Sequence, residues 1–513
     1  MHNIYLYEAR EEWICVRGIG QWVIKRSQLS GSKTALICKD RELTYSQLNS
    51  RINRLANGLM QLGVQKGTRV AVFLTNGTEI LEVMFACAKI GAIFVPVNFR
   101  LSVEEVEYIL KDSGASVFIY HQEYALLAAE VCKRAAIKHS LSVGDELAEA
   151  FAYEDFLAKH GDSEPTSDVD GDEVQMIMYT SGTTGCPKGA MLTHANTFWN
   201  IVQILIAQPI VDTDTTFTVA PMFHSGAMTI LTLTLLYKGG TVIIANKFDP
   251  VQVLQTIERE KITCMFMVPA MWLAVTQVPD FAKYTLRSLR ISISAAAPCP
   301  TTVIKLLRQK GVALIQAFGL SEVAPVAILN IQDADRKSGS VGKPAFYVDI
   351  RIVNEYGQDA LSEEIGELLV RAPNLMQGYW EKPQETQAVM QKGWFSTGDC
   401  LWKDAEGYLY VAGRKKDVII TGGENVYPVE VEQVLYRHPN IKEAAVVGVS
   451  DEKWGEVIKA VIVLKDPKQQ INIAGIKAFC EGKLARYKMP KVVEFASVLP
   501  RNASGKILKK CLL

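Results

Sequence analysis

No stretch of the 513 residues is apolar over the roughly 20 positions that a helix needs to cross a bilayer. The longest apolar passages, such as AMTILTLTLLY from Ala227, stop well short of that. Any membrane contact is therefore expected to be peripheral. An excess of one charge is also lacking: Lys+Arg and Asp+Glu stand at 55 each, which leaves no electrostatic footprint for a nucleic acid. Cysteine is present but never clustered. Cys15, Cys38, Cys87, Cys132, Cys186, Cys264, Cys299, Cys400, Cys480 and Cys511 form no C-x-x-C pair and no Cys/His group of zinc-ligand spacing. Reduced thiols in a cytosol are expected. The N-terminal MHNIYLYEAREEWICVRG is charged and mixed, without the apolar core of a signal peptide, and a cytoplasmic location follows as an expectation. Fixed-period repeats and low-complexity segments are missing too.

What is present suits a large globular enzyme. Apolar residues make up 49% and charged residues 21%, and a chain this long should divide into at least two domains. From about Lys33, strand-like runs alternate with helical patterns: TALICKD, TYSQLNSRINRLANGLMQLG, TRVAVFLTN, EILEVMFACAKIGAIFVPVN. Leu48, Ile52, Leu55, Leu59 and Leu62 recur at spacings of three and four, along one face of a helix, and Thr44 with Gln47 makes a capping box for it. The alternation returns from TVIIANK to VALIQAFG, so α/β layers with largely parallel sheets are expected. From Gly339 the texture becomes strands and turns. After Arg414, VEVEQVLYRHP, IKEAAVVGVSD, EVIKAVIVLK, NIAGIKAFCEGKL and PKVVEFASVLP read as helix, strand, strand, helix, strand.

The most suggestive stretch is TSGTTGCPKG, Thr180 to Gly189, just after the apolar run VQMIMY. A Walker A loop needs G-x-x-x-x-G-K-[ST], whereas here Pro187 precedes Lys188 and Gly189 follows it. The phosphate logic survives, because glycines allow close backbone approach, hydroxyls donate to oxygens and lysine brings charge. Taken alone, such a stretch is more often a plain polar turn than a nucleotide site.

The loop resembles the signature [ST]SGTTGxPKG of the acyl-adenylate-forming superfamily, which holds acyl-CoA synthetases, luciferases and peptide-synthetase adenylation domains. PMFHSG at Pro221, QAFGLSE at Gln316, GWFSTGD at Gly393, GRKKDVIITGGENVYPVEVE at Gly413 and PRNASGKI at Pro500 resemble further family motifs in the family's order. The likeness runs from about Leu43 to Lys509. It implies an α/β fold: a large N-terminal domain, 1–415, of two layered α/β subdomains and a β-rich subdomain, then a small mobile α+β domain, 416–513.

The resemblance also implies an activity and its parts. A carboxylate attacks the α-phosphate of ATP, and a thiol, here coenzyme A, then displaces AMP. Thr180, Ser181, Gly182, Thr183, Thr184, Gly185 and Lys188 would grip the outer phosphates. Glu322, with Thr184, would serve Mg²⁺, since hard oxygen ligands suit an ion that bridges phosphates. Ser321 replaces the commoner threonine. Gln316, Ala317, Phe318 and Gly319 would lie against adenine, Phe318 standing in for a usual tyrosine. Ala296, Ala297 and Pro298 would complete that wall, although Ala295 and Ala296 replace the glycines of the family's SGGAP. Asp399 would accept both ribose hydroxyls and Arg414 would support them; as bare residues the two could equally be a structural ion pair. His224, with Phe223, Ala295 and Phe318, would border the acyl group.

Lys506 resembles the lysine that stabilises charge between carboxylate and α-phosphate. Lys416 takes the hinge position about which the small domain swings. Gly422, Gly423 and Glu424 would then admit the pantetheine arm, with Trp454 and Tyr487 against the nucleotide of CoA.

An acid–CoA ligase is the leading expectation. MVPAMWL, AAAPCP and SEVAPVAI offer little to bind a substrate charge, which favours an alkyl or aryl acid over an amino acid. KDRELTYSQLN, DEKWGE and LARYKMPK resemble bacterial fatty-acid–CoA ligases, so a medium- or long-chain fatty acid is the first choice of substrate and a benzoate- or cinnamate-type aryl acid the second. The alternatives within the family are an adenylation domain with a non-CoA acceptor and a luciferase-type monooxygenase. APMFHSGAMTI lacks the aspartate that would pair with an amino acid's amine. An NTPase with a P-loop-like site is disfavoured by the spacing, and a silent nucleotide-binding module by the intact Glu322, Asp399, Arg414 and Lys506. The sequence gives no oligomeric state.

Overall fold

The computed structural model describes residues 17–144, 150–180, 186–466, 471–501 and 507–513. Its contacts gather into two compact units that interleave along the chain. One comprises Met1–Phe266, Leu320–Pro325 and Ala372–Ala388; the other comprises Met267–Gly319, Val326–Arg371 and Val389–Leu513.

The first unit carries an eight-stranded sheet. Its order is Gly378–Tyr379, Lys188–Thr193, Val174–Thr180, Ile93–Pro96, Arg69–Phe73, Val117–His121, His139–Val143, Phe151–Ala152. The middle strands run parallel. They read as unbroken apolar runs such as RVAVF and VFIYH because helices cover both faces, which leaves no polar side to alternate with. The helix Tyr45–Gln61 buries Leu48, Ile52, Leu55 and Leu59, and it starts with the expected capping box between Thr44 and Gln47. At one edge the sheet turns antiparallel, pairing Val174–Thr180 with Lys188–Thr193 and the latter with Gly378–Tyr379. The phosphate-type loop is the connection between the first two of these strands.

Also in this unit, strands Arg41–Thr44, Thr34–Cys38, Thr241–Ile244, Thr215–Thr218 and Cys264–Phe266 lie side by side. The apolar passage after His224 becomes a helix that widens to π geometry over Met228–Leu233. Its threonines drive the widening: Thr232 Oγ1 donates to the Ala227 carbonyl at 2.8 Å and Thr234 Oγ1 to the Thr229 carbonyl at 3.0 Å.

In the second unit, Ile291–Ser294 runs parallel to Leu314–Phe318 through the helix Thr301–Gln309. The stretch read as strands and turns forms an antiparallel sheet of Asp349–Val353, Gly366–Arg371 and Trp394–Lys403, with Leu409–Arg414 on the last. The C-terminal residues build the expected helix, strand, strand, helix, strand. Helices Pro428–Leu435 and Ile473–Cys480 pack on strands Ile441–Asp451 and Gly455–Leu464, around a core that includes Val431, Leu435, Val446, Ile458 and Ile476.

Candidate active site

At the antiparallel edge of the first unit, Thr180 and Lys188 are register partners that flank the loop, and Thr180 Oγ1 donates to the Lys188 carbonyl at 3.4 Å. Ser181, Gly182, Thr183, Thr184 and Gly185 lie outside the described residues, as does Lys506. The base of the loop is braced by residues that the motifs do not include. Tyr108 Oη donates to the Pro187 carbonyl at 3.2 Å. Asp112 accepts from Tyr179 Oη at 2.7 Å and from Lys382 Nζ at 3.0 Å. Burial and the Asp112 carboxylate push the Tyr179 phenol up, so it remains a donor.

Glu322 sits on the segment Leu320–Pro325. Its carboxylate accepts from Tyr379 Oη at 3.0 Å, and its backbone carbonyl from the Met376 N–H at 2.7 Å. Tyr379 also presents its ring to Lys188, whose Nζ lies 5.4 Å from the centroid. Ser321, next to Glu322, and Ser225, next to His224, line one small cavity together with Asn196, Asn200, Thr229 and Asn374. The two motifs are thus brought together within this unit.

His224 caps the helix that follows it. Its ring lies 4.3 Å from that of Phe223, which meets Phe99 edge-on at 5.4 Å. Burial, and then the charge of Arg100, lower its pKa to about 4. The imidazole is therefore neutral at pH 7 and carries no charge into its surroundings.

In the second unit, the strand Ile291–Ser294 delivers Ala295, buried, then Ala296 and Ala297, exposed, and Pro298, half-buried. Ala296 adopts φ +77°, the left-handed region that favours glycine. An alanine thus stands where the backbone conformation favours glycine. Gln316 is buried and its amide is engaged at both ends: Oε1 accepts from the Cys299 N–H at 2.9 Å and Nε2 donates to the Ser340 carbonyl at 3.2 Å. It fixes the wall rather than facing out from it. Ala317, Phe318 and Gly319 follow, half-buried. Asp399 and Arg414 are register partners on neighbouring strands, with Arg414 Nε 2.9 Å from Asp399 Oδ1.

Lys416 is exposed in a short turn, Lys415–Asp417. Gly422 and Gly423, at φ +62° and +85°, make a two-residue hairpin turn before Glu424. Only glycine fits at 422, because a Cβ there would lie 2.8 Å from the Trp454 ring. Trp454 is 42% exposed and Tyr487 40%. Sequence reasoning missed Tyr379, Asp112, Tyr108, Tyr179 and Lys382; the one local signal was the aromatic pair after glycine in GYW.

The first unit thus carries Thr180, Lys188 and the Glu322 carboxylate, and the second carries the Asp399–Arg414 pair. Residues 25–380 match the family model described as AMP-binding enzyme, and residues 430–506 its C-terminal domain. Feruloyl-CoA synthase from an Amycolatopsis species is 41% identical over 96% of this chain and 98% of its own length. Indoleacetate–CoA ligase of Aromatoleum aromaticum is 37% identical over 96% of both chains. A long-chain-fatty-acid–CoA ligase of Mycobacterium tuberculosis is 36% identical over 97% of this chain and 98% of that one. Among solved structures, an anthranilate CoA ligase with anthranoyl-AMP superposes with a TM-score of 0.91 at 30% identity, covering 96% of each chain. ATP-bound MatB from Rhodopseudomonas palustris gives 0.88 at 29%, over 96% and 98%. The chain belongs with these ligases: it is a member of the AMP-binding family, an acyl-adenylate-forming acid–CoA ligase with a large N-terminal and a small C-terminal domain.

Proposed function

We propose that the acid is aryl-bearing, a correction of emphasis from the fatty acid that the sequence put first. The observation that carries this is the aromatic group of Phe99, Phe223 and His224 at the place where the acyl group is expected. An aryl substrate gains edge or face contacts there that an alkyl chain does not, worth roughly 0.5–1.5 kcal/mol, or up to about tenfold. The 41% and 37% identities to a feruloyl-CoA synthase and an indoleacetate–CoA ligase support it. The second reading, a fatty acid, draws on the 36% identity to a long-chain ligase.

In the reaction, a carboxylate oxygen bonds to the α-phosphorus of ATP and pyrophosphate leaves. The CoA sulfur then bonds to the acyl carbon and AMP leaves. Thr180 and Lys188 hold the loop ends against the outer phosphates, Phe318 backs adenine, and Asp399, oriented by Arg414, takes the ribose hydroxyls. Among the described residues, no three His, Cys, Asp or Glu side chains gather to hold a metal ion. A single carboxylate, Glu322, is the donor that suits an Mg²⁺ carried by phosphate oxygens and water. Bound there, the ion would offset the charge building on the phosphates. Lys506 would serve the adenylation step; the C-terminal domain, turning at Lys416, would then bring Gly422 to Glu424 in for CoA.

The test is a panel of hydroxycinnamates, arylacetates and fatty acids assayed for CoA-dependent AMP formation. We expect kcat/KM for the best aryl acid to exceed that for the best fatty acid by about tenfold. Equal or better turnover of fatty acids would favour the second reading.

A further inference from the structure

We propose that Tyr379 is a positioning residue that keeps Lys188 and Glu322 apart and aims the Glu322 carboxylate at the metal–nucleotide. This rests on the reading of Glu322 as the magnesium carboxylate. Tyr379 is 9% exposed and lies in a two-residue strand whose register partner is Ala190. Lys188 is two residues before Ala190, hence on the same face and diagonally across from Tyr379. The ring therefore lies under the lysine, with Nζ 5.4 Å from its centroid, while the hydroxyl donates to Glu322 Oε1 at 3.0 Å. The segment is held on both sides, by Trp380 N–H to the Gly189 carbonyl at 2.8 Å and by Met376 N–H to the Glu322 carbonyl at 2.7 Å.

The spacer role follows from charge. An ammonium and a carboxylate in direct contact neutralise each other, and neither is then free for phosphate or metal. Tyr379 satisfies each by a weaker contact, a π face for the cation and one hydroxyl for the anion. With Oε1 engaged, Glu322 is fixed in one rotamer and Oε2 is the oxygen left to face an ion.

The experiment is calorimetric binding of ATP to the full chain, with and without Mg²⁺, for wild type, Tyr379→Phe, Glu322→Gln and the double variant. Tyr379→Phe keeps the ring under Lys188 and removes only the hydroxyl. It should weaken ATP binding about tenfold in Mg²⁺ and change it less than about twofold without Mg²⁺, with an unchanged melting temperature. In the Glu322→Gln background the same substitution should have no further Mg²⁺-specific effect. Equal affinity of Tyr379→Phe and wild type in Mg²⁺, an equal loss with and without the ion, or additive effects in the double variant would each overturn the proposal. If wild-type binding itself ignores Mg²⁺, the reading of Glu322 fails instead, and the proposal falls with it.

Discussion

Single side chains in this protein are tuned mainly by burial. His194 is fully buried, accepting from the Ile19 N–H at Nδ1 at 3.2 Å, and burial lowers its pKa to about 4; His224 is lowered to about the same value. A histidine whose folded pKa lies below its unfolded value of about 6.5 favours the neutral form in the fold. The unfolded chain then binds more protons between about pH 6.5 and 4, so the stability these residues contribute is full above 6.5 and is lost as pH falls toward 4. For His194 this amounts to at most about 3 kcal/mol. Urea unfolding from pH 7.5 to 4.5 should show that fall, and His194→Asn, which keeps an acceptor for Ile19, should flatten it. An unchanged slope in the variant would contradict the assignment. How far the site could be read from the sequence also varied residue by residue. Asp399 and Arg414 were left open between ribose contact and ion pair, and the structure pairs them at 2.9 Å, a contact that no local spacing in the sequence encodes. Ala296 looked like a departure from a glycine pattern, and its φ of +77° places an alanine in the left-handed region that glycine favours, at a cost of roughly 1–2 kcal/mol. Tyr379 and Asp112 were invisible because their partners, Glu322 and Tyr179, are distant in sequence, and no local spacing encodes such contacts.

Elements were legible where one period dominated. The helix Tyr45–Gln61 announced itself through leucines at three- and four-residue spacing and its capping box, and the C-terminal order of helices and strands through alternating runs. The π turn Met228–Leu233 was not legible, because AMTILTLTLLY is apolar throughout, so no periodicity survives to be broken. What sets it is threonine hydroxyls reaching back to carbonyls four and five residues earlier. Thr232 is the key one, since its hydroxyl also meets Thr218 Oγ1 at 2.8 Å. Thr232→Val keeps the shape, removes both bonds and leaves buried oxygens unsatisfied. It should destabilise the protein by about 1–3 kcal/mol in denaturant unfolding; a variant as stable as wild type would show that the π geometry does not depend on that hydroxyl.

At the scale of the whole molecule, the chain interleaves its two compact units, so the motifs that the sequence orders in a line are divided between them. Thr180, Lys188, His224 and Glu322 belong to the first unit, while Phe318, Asp399, Arg414 and Gly422 belong to the second. Among the described residues, no helix is long and apolar enough to cross a membrane. The sequence conveyed the motifs and their order but not this interleaving, because it depends on which distant segments return to pack together. The account's central claim is that the acid's own oxygen attacks the α-phosphate of ATP. Turnover of a carboxylic acid labelled with ¹⁸O in both carboxyl oxygens, with ATP, Mg²⁺ and CoA, tests it directly. The account predicts one ¹⁸O in AMP per acyl-CoA formed and none in pyrophosphate; label in phosphate or pyrophosphate, or ADP as the nucleotide product, would contradict it.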